Sequence, residues 1–190
     1  MDNLTQEKLH ILYGAIDRLL AQKGHILLAI DGPCTAGKTT LAGILKEKYG
    51  CNVISMDQFF LRPQQRTAER LAQPGGNVDY ERFHEEVLQP LQGDIPFSYR
   101  PFLCSKQSLD QPITVHPAPL TVIEGTYSTH PYFQNPYHLT VFLTIDADVQ
   151  RERIGLREEW KQVRFWNEWI PMEQAYFDHY GIQQKCDLTL

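Results

Sequence analysis

Apolar residues gather along the chain in short continuous runs, and the segments between the runs place apolar residues three or four positions apart. A short unbroken apolar run is typical of a parallel strand that is buried on both faces of a sheet. Because such runs alternate with helical segments, the sequence predicts an α/β fold in which a five-stranded parallel sheet has helices on both faces. The predicted strands cover residues 26–30, 52–56, 120–124, 138–145 and 186–190.

The predicted helices are marked by apolar spacing and by residues that cap or stop a helix. Asp79 and Asp146 stand where an N-cap is expected, and Pro171 suits the first turn of the last helix. Residues 61–78 are expected to form a partly ordered insertion over the site, and residues 95–119 a hairpin or flap. The helices are predicted at 4–22, at 38–49, at 80–91, from Asp146 through Arg157, and from Pro171 to Gly181.

A phosphate-binding loop follows the first predicted strand. The strand ends at Asp31, and the next residues fit the pattern G-x-x-x-x-G-K-[ST]. The glycines let backbone N–H groups turn inward around phosphate oxygens, and the N-terminus of the following helix adds a favourable dipole. A chance match in a glycine-rich turn is the weaker interpretation, because both the strand and the helix are present. The residues predicted to hold the nucleotide are Gly32, Pro33, Cys34, Thr35, Ala36, Gly37, Lys38, Thr39 and Thr40.

Two residues of this loop have specific predicted roles. Lys38 can reach the β- and γ-phosphates, and the hydroxyl of Thr39 is placed to bind Mg²⁺. The sequence therefore predicts a protein that binds a nucleoside triphosphate together with Mg²⁺. Cys34 lies inside the same loop, where N–H groups, the helix N-terminus and Lys38 are expected to favour its thiolate; a buried, inert thiol is an equally good alternative.

Composition and charge narrow the class of protein. The 190 residues carry a formal net charge of −5, which gives no indication of a broad basic face for nucleic acid. No apolar stretch has the length of a membrane span, and the first residues do not resemble a signal peptide. The chain is expected to form one domain over 1–190, and association into a homo-oligomer stays open. Reduced thiols and a cytoplasmic location are expected because no C-x-x-C spacing links the four cysteines, Cys34, Cys51, Cys104 and Cys186.

Several motifs occur in the order in which uridine kinases have them. The sequence resembles the uridine kinase and phosphoribulokinase branch of P-loop kinases, in particular the compact bacterial uridine kinase-like proteins, from about residue 26 to residue 190. The resemblance implies a lid at about 148–166 that closes over the phosphates, and ATP or GTP with Mg²⁺ as cofactors. The matching segments are 32–40, 56–60, 77–79, 124–125 and 151–157.

Three carboxylates at or near strand ends are candidates for the chemistry. Asp57 matches the catalytic aspartate of the family and would accept the proton of the substrate hydroxyl; a turn aspartate is the alternative. Many relatives have two acidic residues here, whereas Met56 precedes Asp57 in this chain. Glu124 ends a buried strand and is predicted to hold Mg²⁺ or substrate. Asp79 matches a ribose-binding aspartate, but a role as a helix cap explains it equally well.

Two arginines and two aromatic residues complete the predicted site. Arg153 and Arg157 are four residues apart, so on one helix they would share a face and could grip a polyphosphate. A solvated helix with Arg–Glu pairs is the alternative. For a nucleobase pocket, Tyr99 and Phe102 are the nearest matches to the aromatic residues of relatives, although their spacing departs from the family.

The resemblance implies phosphoryl transfer to the 5′-hydroxyl of a nucleoside, with uridine or cytidine as the leading acceptor. Within the same class, the acceptor could be another small alcohol such as nicotinamide riboside, pantothenate or a sugar. A non-catalytic GTPase-type switch is less well supported. No suitable D-x-x-G follows a strand, and residues 184–187 lack the Asn or Thr of the guanine motif.

Overall fold

A computed structural model describes residues 5–190, so the first predicted helical residue, Leu4, lies outside the described range. The strands are β1 Ile26–Asp31, β2 Asn52–Ser55, β3 Phe97–Tyr99, β4 Phe102–Leu103, β5 Ser108–Leu109, β6 Ile113–Val115, β7 Leu120–Glu124, β8 Leu139–Phe142 and β9 Leu188–Thr189. The α-helices are α1 Gln6–Lys23, α2 Lys38–Tyr49, α3 Ala68–Leu71, α4 Tyr80–Phe83, α5 Ala147–Gly155, α6 Glu159–Arg164, α7 Ile170–Tyr180 and α8 Ile182–Lys185.

Five of these strands form one parallel sheet in the order β2-β7-β1-β8-β9, which confirms the predicted fold class. The register pairs Ile30 with Glu124 and Ser55 with Glu124. The carboxyl ends of the three strands therefore meet at one edge of the sheet. This is the edge where open α/β sheets bind their ligands.

The core lies on both faces of the sheet. In β1, Leu28 and Ile30 pack into one apolar cluster with α1 and α2, while Leu27 packs into the cluster on the opposite face. Side chains alternate along a strand, so a strand covered on both faces needs apolar residues at every position. All six residues of β1 are buried, which explains its unbroken apolar run up to Asp31.

The segment predicted as a hairpin or flap forms two antiparallel pairs. The outer pair joins β3 to β6, and the inner pair joins β4 to β5. The helix predicted at 80–91 is present, but it continues from α4 through a π-helical turn at His84–Leu88 and a 3₁₀ turn at Pro90–Gln92.

Near the carboxyl end, one helix boundary differs from the prediction, and one helix is preceded by helical structure that was not predicted. Asp146 caps α5 as expected, but the helix ends at Gly155, before Arg157. Pro171 lies in the first turn of α7, and Gly181 ends that helix, as predicted. Helical structure also precedes α7, because α6 reaches it through a π-helical turn, in which the N–H of Ile170 donates to the carbonyl of Phe165. A proline lacks the N–H and crowds the carbonyl four residues earlier, and the wider π turn just before it accommodates both effects.

Candidate active site

The phosphate loop leaves the end of β1 through a glycine that no other residue can replace. Gly32 has a φ of 136°, and a Cβ at this position would collide with the backbone of Leu143. Lys38 is buried, and its Nζ donates to the carbonyl oxygens of Gly32 and Pro33 at 2.7 Å each. The ammonium group is therefore held inside the curve of the loop.

The first turn of α2 supplies the other half of the loop. Gly37, at a φ of 101°, precedes this helix without a side-chain cap, so no side chain competes for the N–H groups of the first turn. Such a helix start favours an anion. Thr39 and Thr40 lie exposed on this turn, whereas Ala36 is packed into the core cluster.

Two carboxylates lie beside the loop, at the ends of neighbouring strands. Glu124 is buried, and its Oε2 accepts a 3.2 Å hydrogen bond from the hydroxyl of Thr39. Burial raises the pKa of Glu124, the nearby charge of Asp57 adds to the rise, and the hydrogen bond from Ser55 and the charge of Lys38 oppose it. A hydroxyl and a carboxylate fit Mg²⁺, which takes its remaining ligands from water and phosphate.

Asp57 lies in the 3₁₀ turn Met56–Phe59 that follows β2. Its side chain is open to solvent, but the surrounding protein removes part of its hydration and raises its pKa, while the positive charge of Lys38 opposes the rise. Met56, the residue before Asp57, is buried in the core, and its Cβ lies against Gly125. Asp57 is therefore the carboxylate of this turn that faces the site.

Asp79 is a helix cap, as one of its two predicted roles requires, and its role in ribose binding stays a prediction. Its Oδ1 accepts the N–H of Arg82 at 3.3 Å as an N-cap, and its Oδ2 lies 3.4 Å from Nε of the same arginine and 3.8 Å from Arg62. It also lines a cleft of about 470 Å³. The lining of this cleft is dominated by arginine and carboxylate side chains, with Leu61 and Leu109 as its apolar residues.

The two aromatic residues proposed for a nucleobase pocket are not displayed in this cleft. Tyr99 is 3% exposed and Phe102 is 2% exposed, so neither ring has a free face in this conformation. The hydroxyl of Tyr99 donates to Gln58 at 2.7 Å, next to Asp57. The ring of Tyr99 packs against Phe59 of the turn that holds Asp57. A role of Tyr99 and Phe102 as base-stacking walls stays a prediction.

The expected pair of lid arginines is separated. Arg153 lies on α5, and its Nη1 donates to the carbonyl of Thr35 at 2.8 Å, so it contacts the phosphate loop. Arg157 lies past the end of the helix and is exposed. The expectation that both share one helix face is wrong, because α5 ends at Gly155.

Of the two alternatives for Cys34, its surroundings favour the inert thiol over the reactive thiolate. Desolvation raises the pKa of Cys34 to about 12, and the neighbouring charge of Glu173 contributes, although Lys38 opposes the shift. The N–H of Cys34 donates to Glu173 Oε2 at 2.8 Å. The carboxylate of Glu173, and not the thiol of Cys34, therefore lies where the N–H of Cys34 and the charge of Lys38 can stabilise a negative charge.

Two buried carboxylates of the site were missed by the sequence analysis. Asp31 accepts hydrogen bonds from the N–H of Gly32 at 2.7 Å, the hydroxyl of Thr129 at 2.7 Å and the hydroxyl of Tyr176 at 3.0 Å. Its position at the end of an apolar strand was a usable signal. Nothing in the sequence around Glu173 indicated that it reaches the site, because its partner Cys34 lies 139 residues away along the chain.

Comparison with known proteins finds a similar structure but no similar sequence. No family model matches the sequence, and no curated protein matches it. The structure is similar to that of a possible uridine kinase from Bacillus stearothermophilus, with a TM-score of 0.68 and 18% identity over 95% of this chain and 99% of that chain. The chain has the P-loop kinase fold. A shikimate kinase from Bacteroides thetaiotaomicron matches with a TM-score of 0.45 and 14% identity over 87% of this chain and 85% of that one.

Proposed function

We propose that this protein is a nucleoside triphosphate-dependent kinase that transfers a phosphoryl group to the hydroxyl of a small alcohol. The observation that carries the proposal is the position of Lys38 beside two carboxylates. Its ammonium group lies inside the phosphate loop and close enough to Asp57 and Glu124 to oppose the rise of both pKa values. This arrangement at one sheet edge supports a phosphate site with a metal ion and a proton acceptor beside it.

Each of these groups has a distinct part in phosphoryl transfer. Lys38 leaves its carbonyl partners to neutralise charge on the phosphate chain, and Asp57 orients the acceptor hydroxyl and takes its proton. Thr39 and Glu124 would hold Mg²⁺, and the ion would supply positive charge to balance that of the phosphates. The raised pKa of Asp57 makes it a better proton acceptor than an ordinary aspartate.

The leading acceptor that we propose is the 5′-hydroxyl of a nucleoside, uridine or cytidine first. The ordered motifs around Asp57, Asp79 and Glu124 support it, as does the description of the similar structure as a possible uridine kinase. In this arrangement Asp79 accepts hydrogen bonds from sugar hydroxyls. The triphosphate donor is ATP or GTP.

A second class of acceptor has an observation in its favour. The cleft beside Asp79 is lined mainly by charged side chains, and the aromatic rings of Tyr99 and Phe102 are buried. Hydroxyl groups can both donate to arginine-paired carboxylates and accept from guanidinium groups, whereas a nucleobase gains most from an apolar wall. A sugar or another small polar alcohol is therefore the alternative acceptor.

The test is ADP or GDP release with Mg²⁺ and a panel of nucleosides, sugars, pantothenate and nicotinamide riboside, with phosphorylated products identified by mass spectrometry. A kinase turns over only when its acceptor is present. Asp57→Asn serves as the matched protein control, because it removes the base and keeps the shape. Binding of nucleotide without phosphorylation of any compound, or hydrolysis that is indifferent to all of them, would favour a nucleotide-binding switch instead.

A further inference from the structure

The tip of the phosphate loop holds a residue in a conformation that L-amino acids rarely adopt. Thr35 has a φ of 62°, in the left-handed region, where a branched Cβ is crowded. Its hydroxyl oxygen is buried and has no hydrogen-bond partner among residues 5–190. A strained backbone of this kind persists only where the surrounding structure holds it in place.

Two side chains of α5 hold the peptide planes on either side of Thr35. Gln150 Nε2 donates to the carbonyl of Cys34 at 3.0 Å, and Arg153 Nη1 donates to the carbonyl of Thr35 at 2.8 Å. The rotations φ and ψ of Thr35 are the only ones that separate these two carbonyl groups. Anchoring both carbonyls therefore restricts the conformation of Thr35 directly.

The helical spacing explains how one helix reaches both carbonyls. Gln150 and Arg153 are three residues apart within α5, so they lie on the same face of the helix. Glu173 of α7 adds a third anchor through the N–H of Cys34. The loop tip is thus held by α5, which forms the first part of the segment predicted as a lid, and by α7, which follows that segment.

We propose that Gln150 is a positioning residue that acts with Arg153 as a clamp on the phosphate loop. The proposal rests on the proposed function, because it takes the loop as the nucleotide site. A loop tip that is already ordered loses little conformational freedom when a ligand arrives, so the clamp strengthens nucleotide binding. Without it, Thr35 relaxes toward negative φ and the tip must be reordered on binding.

The experiment measures ADP binding to the full-length protein by calorimetry. Gln150→Ala removes one anchor, and we expect the Kd for ADP to rise about tenfold. A second substitution, Thr35→Gly, should return the Kd of the double variant to within about threefold of the parent, because glycine adopts the left-handed φ without steric cost. Thr35→Ala in the same background removes the hydroxyl but keeps the Cβ, so it should not restore binding.

A control variant and a second readout separate the clamp from general effects. Arg151→Gln lies on the same helix at an exposed site, where Arg151 pairs with Asp148, and should bind ADP like the parent. Amide hydrogen exchange of residues 34–37 in the unliganded protein should be faster in Gln150→Ala than in the parent or in Arg151→Gln.

The outcomes that overturn the clamp are distinct from those that overturn the kinase proposal. Equal Kd and equal exchange in Gln150→Ala and the parent would refute the clamp, and so would a Thr35→Gly that restores no more binding than Thr35→Ala. If the parent binds no nucleotide, the proposed function fails instead, and the exchange rates still decide whether Gln150 holds the loop.

Discussion

The hydroxyl of Thr39 donates a 3.2 Å hydrogen bond to the carboxylate of Glu124, and this contact joins the first turn of α2 to the end of β7. The two side chains come from separate predicted segments, 85 residues apart along the chain. Their meeting brings two hard oxygen donors together beside the phosphate loop.

Glu124→Gln should lower the apparent affinity of the protein for Mg²⁺. The amide keeps the shape and can still accept from Thr39, but it removes the negative charge, so the Mg²⁺ concentration for half-maximal activity should rise about tenfold or more. The measurement is a Mg²⁺ titration of turnover at saturating nucleotide and acceptor, beside the melting temperatures of both proteins. An unchanged titration in a folded variant would remove Glu124 from the metal site.

Asp57→Asn should leave nucleotide binding intact and lower turnover by about 10²-fold or more. The amide cannot accept the proton of the acceptor hydroxyl, while the phosphate loop lies on other elements. The Kd for ADP and kcat are measured on the same preparation. Turnover equal to that of the parent would make Asp57 a turn residue, and loss of both activity and binding would indicate a wider structural role.

Asp79→Ala should affect stability and sugar recognition together. The carboxylate caps α4 and faces the buried guanidinium of Arg82, so its loss should cost about 2–4 kcal/mol of unfolding free energy. If it also binds sugar hydroxyls, the preference for ribonucleosides over 2′-deoxynucleosides should narrow. Asp79→Asn is the matched variant, because its side-chain oxygen can still cap the helix.

The two effects of Asp79 are separated by kcat/KM for a ribo/deoxy pair and by denaturant unfolding. A lower stability with an unaltered ribo/deoxy ratio would leave Asp79 as a cap and an ion-pair partner. A narrowed ratio in Asp79→Asn, at nearly parental stability, would support sugar binding.

His130 should make the protein less stable in acid. Burial lowers its pKa from 6.5 to about 4, so below pH 6.5 the unfolded chain binds a proton that the folded chain does not. Its contribution to unfolding free energy therefore falls as the pH drops from 6.5 to 4, by roughly 2 kcal/mol between pH 7 and pH 5. His130→Phe keeps a ring between Tyr80 and Tyr176 and should lose this part of the pH dependence.

The measurement for His130 is urea unfolding at pH 7 and pH 5 in the parent, in His130→Phe and in His10→Gln as a variant at an exposed site. The prediction concerns the difference between the two pH values, so a uniform loss of stability in His130→Phe does not disturb it. An equal drop in the parent and in His130→Phe would show that other groups cause it.

Cys34 should react slowly with thiol reagents. Its pKa of about 12 leaves very little thiolate near neutral pH, and the exposed Cys104 should be alkylated at least ~10-fold faster. Glu173→Gln removes a nearby negative charge, so it should lower the pKa of Cys34 and speed its labelling. Peptide mass spectrometry after iodoacetamide treatment at pH 8 follows both sites. Rapid labelling of Cys34 in the parent would contradict the buried environment.

The features that the sequence alone determined are local ones. The strand–loop–helix of residues 26–49 and the cap at Asp146 depend on neighbours within a few residues, so patterning and turn chemistry predict them. The parallel five-stranded sheet followed from alternation of strands with helices. The phosphate-loop residues could be named for the same reason, because the motif places them next to one another.

Tertiary structure decided how distant segments meet. The π turn ahead of Pro171, the end of α5 at Gly155 and the burial of Tyr99 and Phe102 depend on packing against other elements, which no short window of sequence contains. Tertiary structure also determines which charged and buried groups surround the phosphate loop. Burial raises the pKa of Cys34, and Glu173, 139 residues away along the chain, adds to the rise, because desolvation and charge depend on neighbours in space.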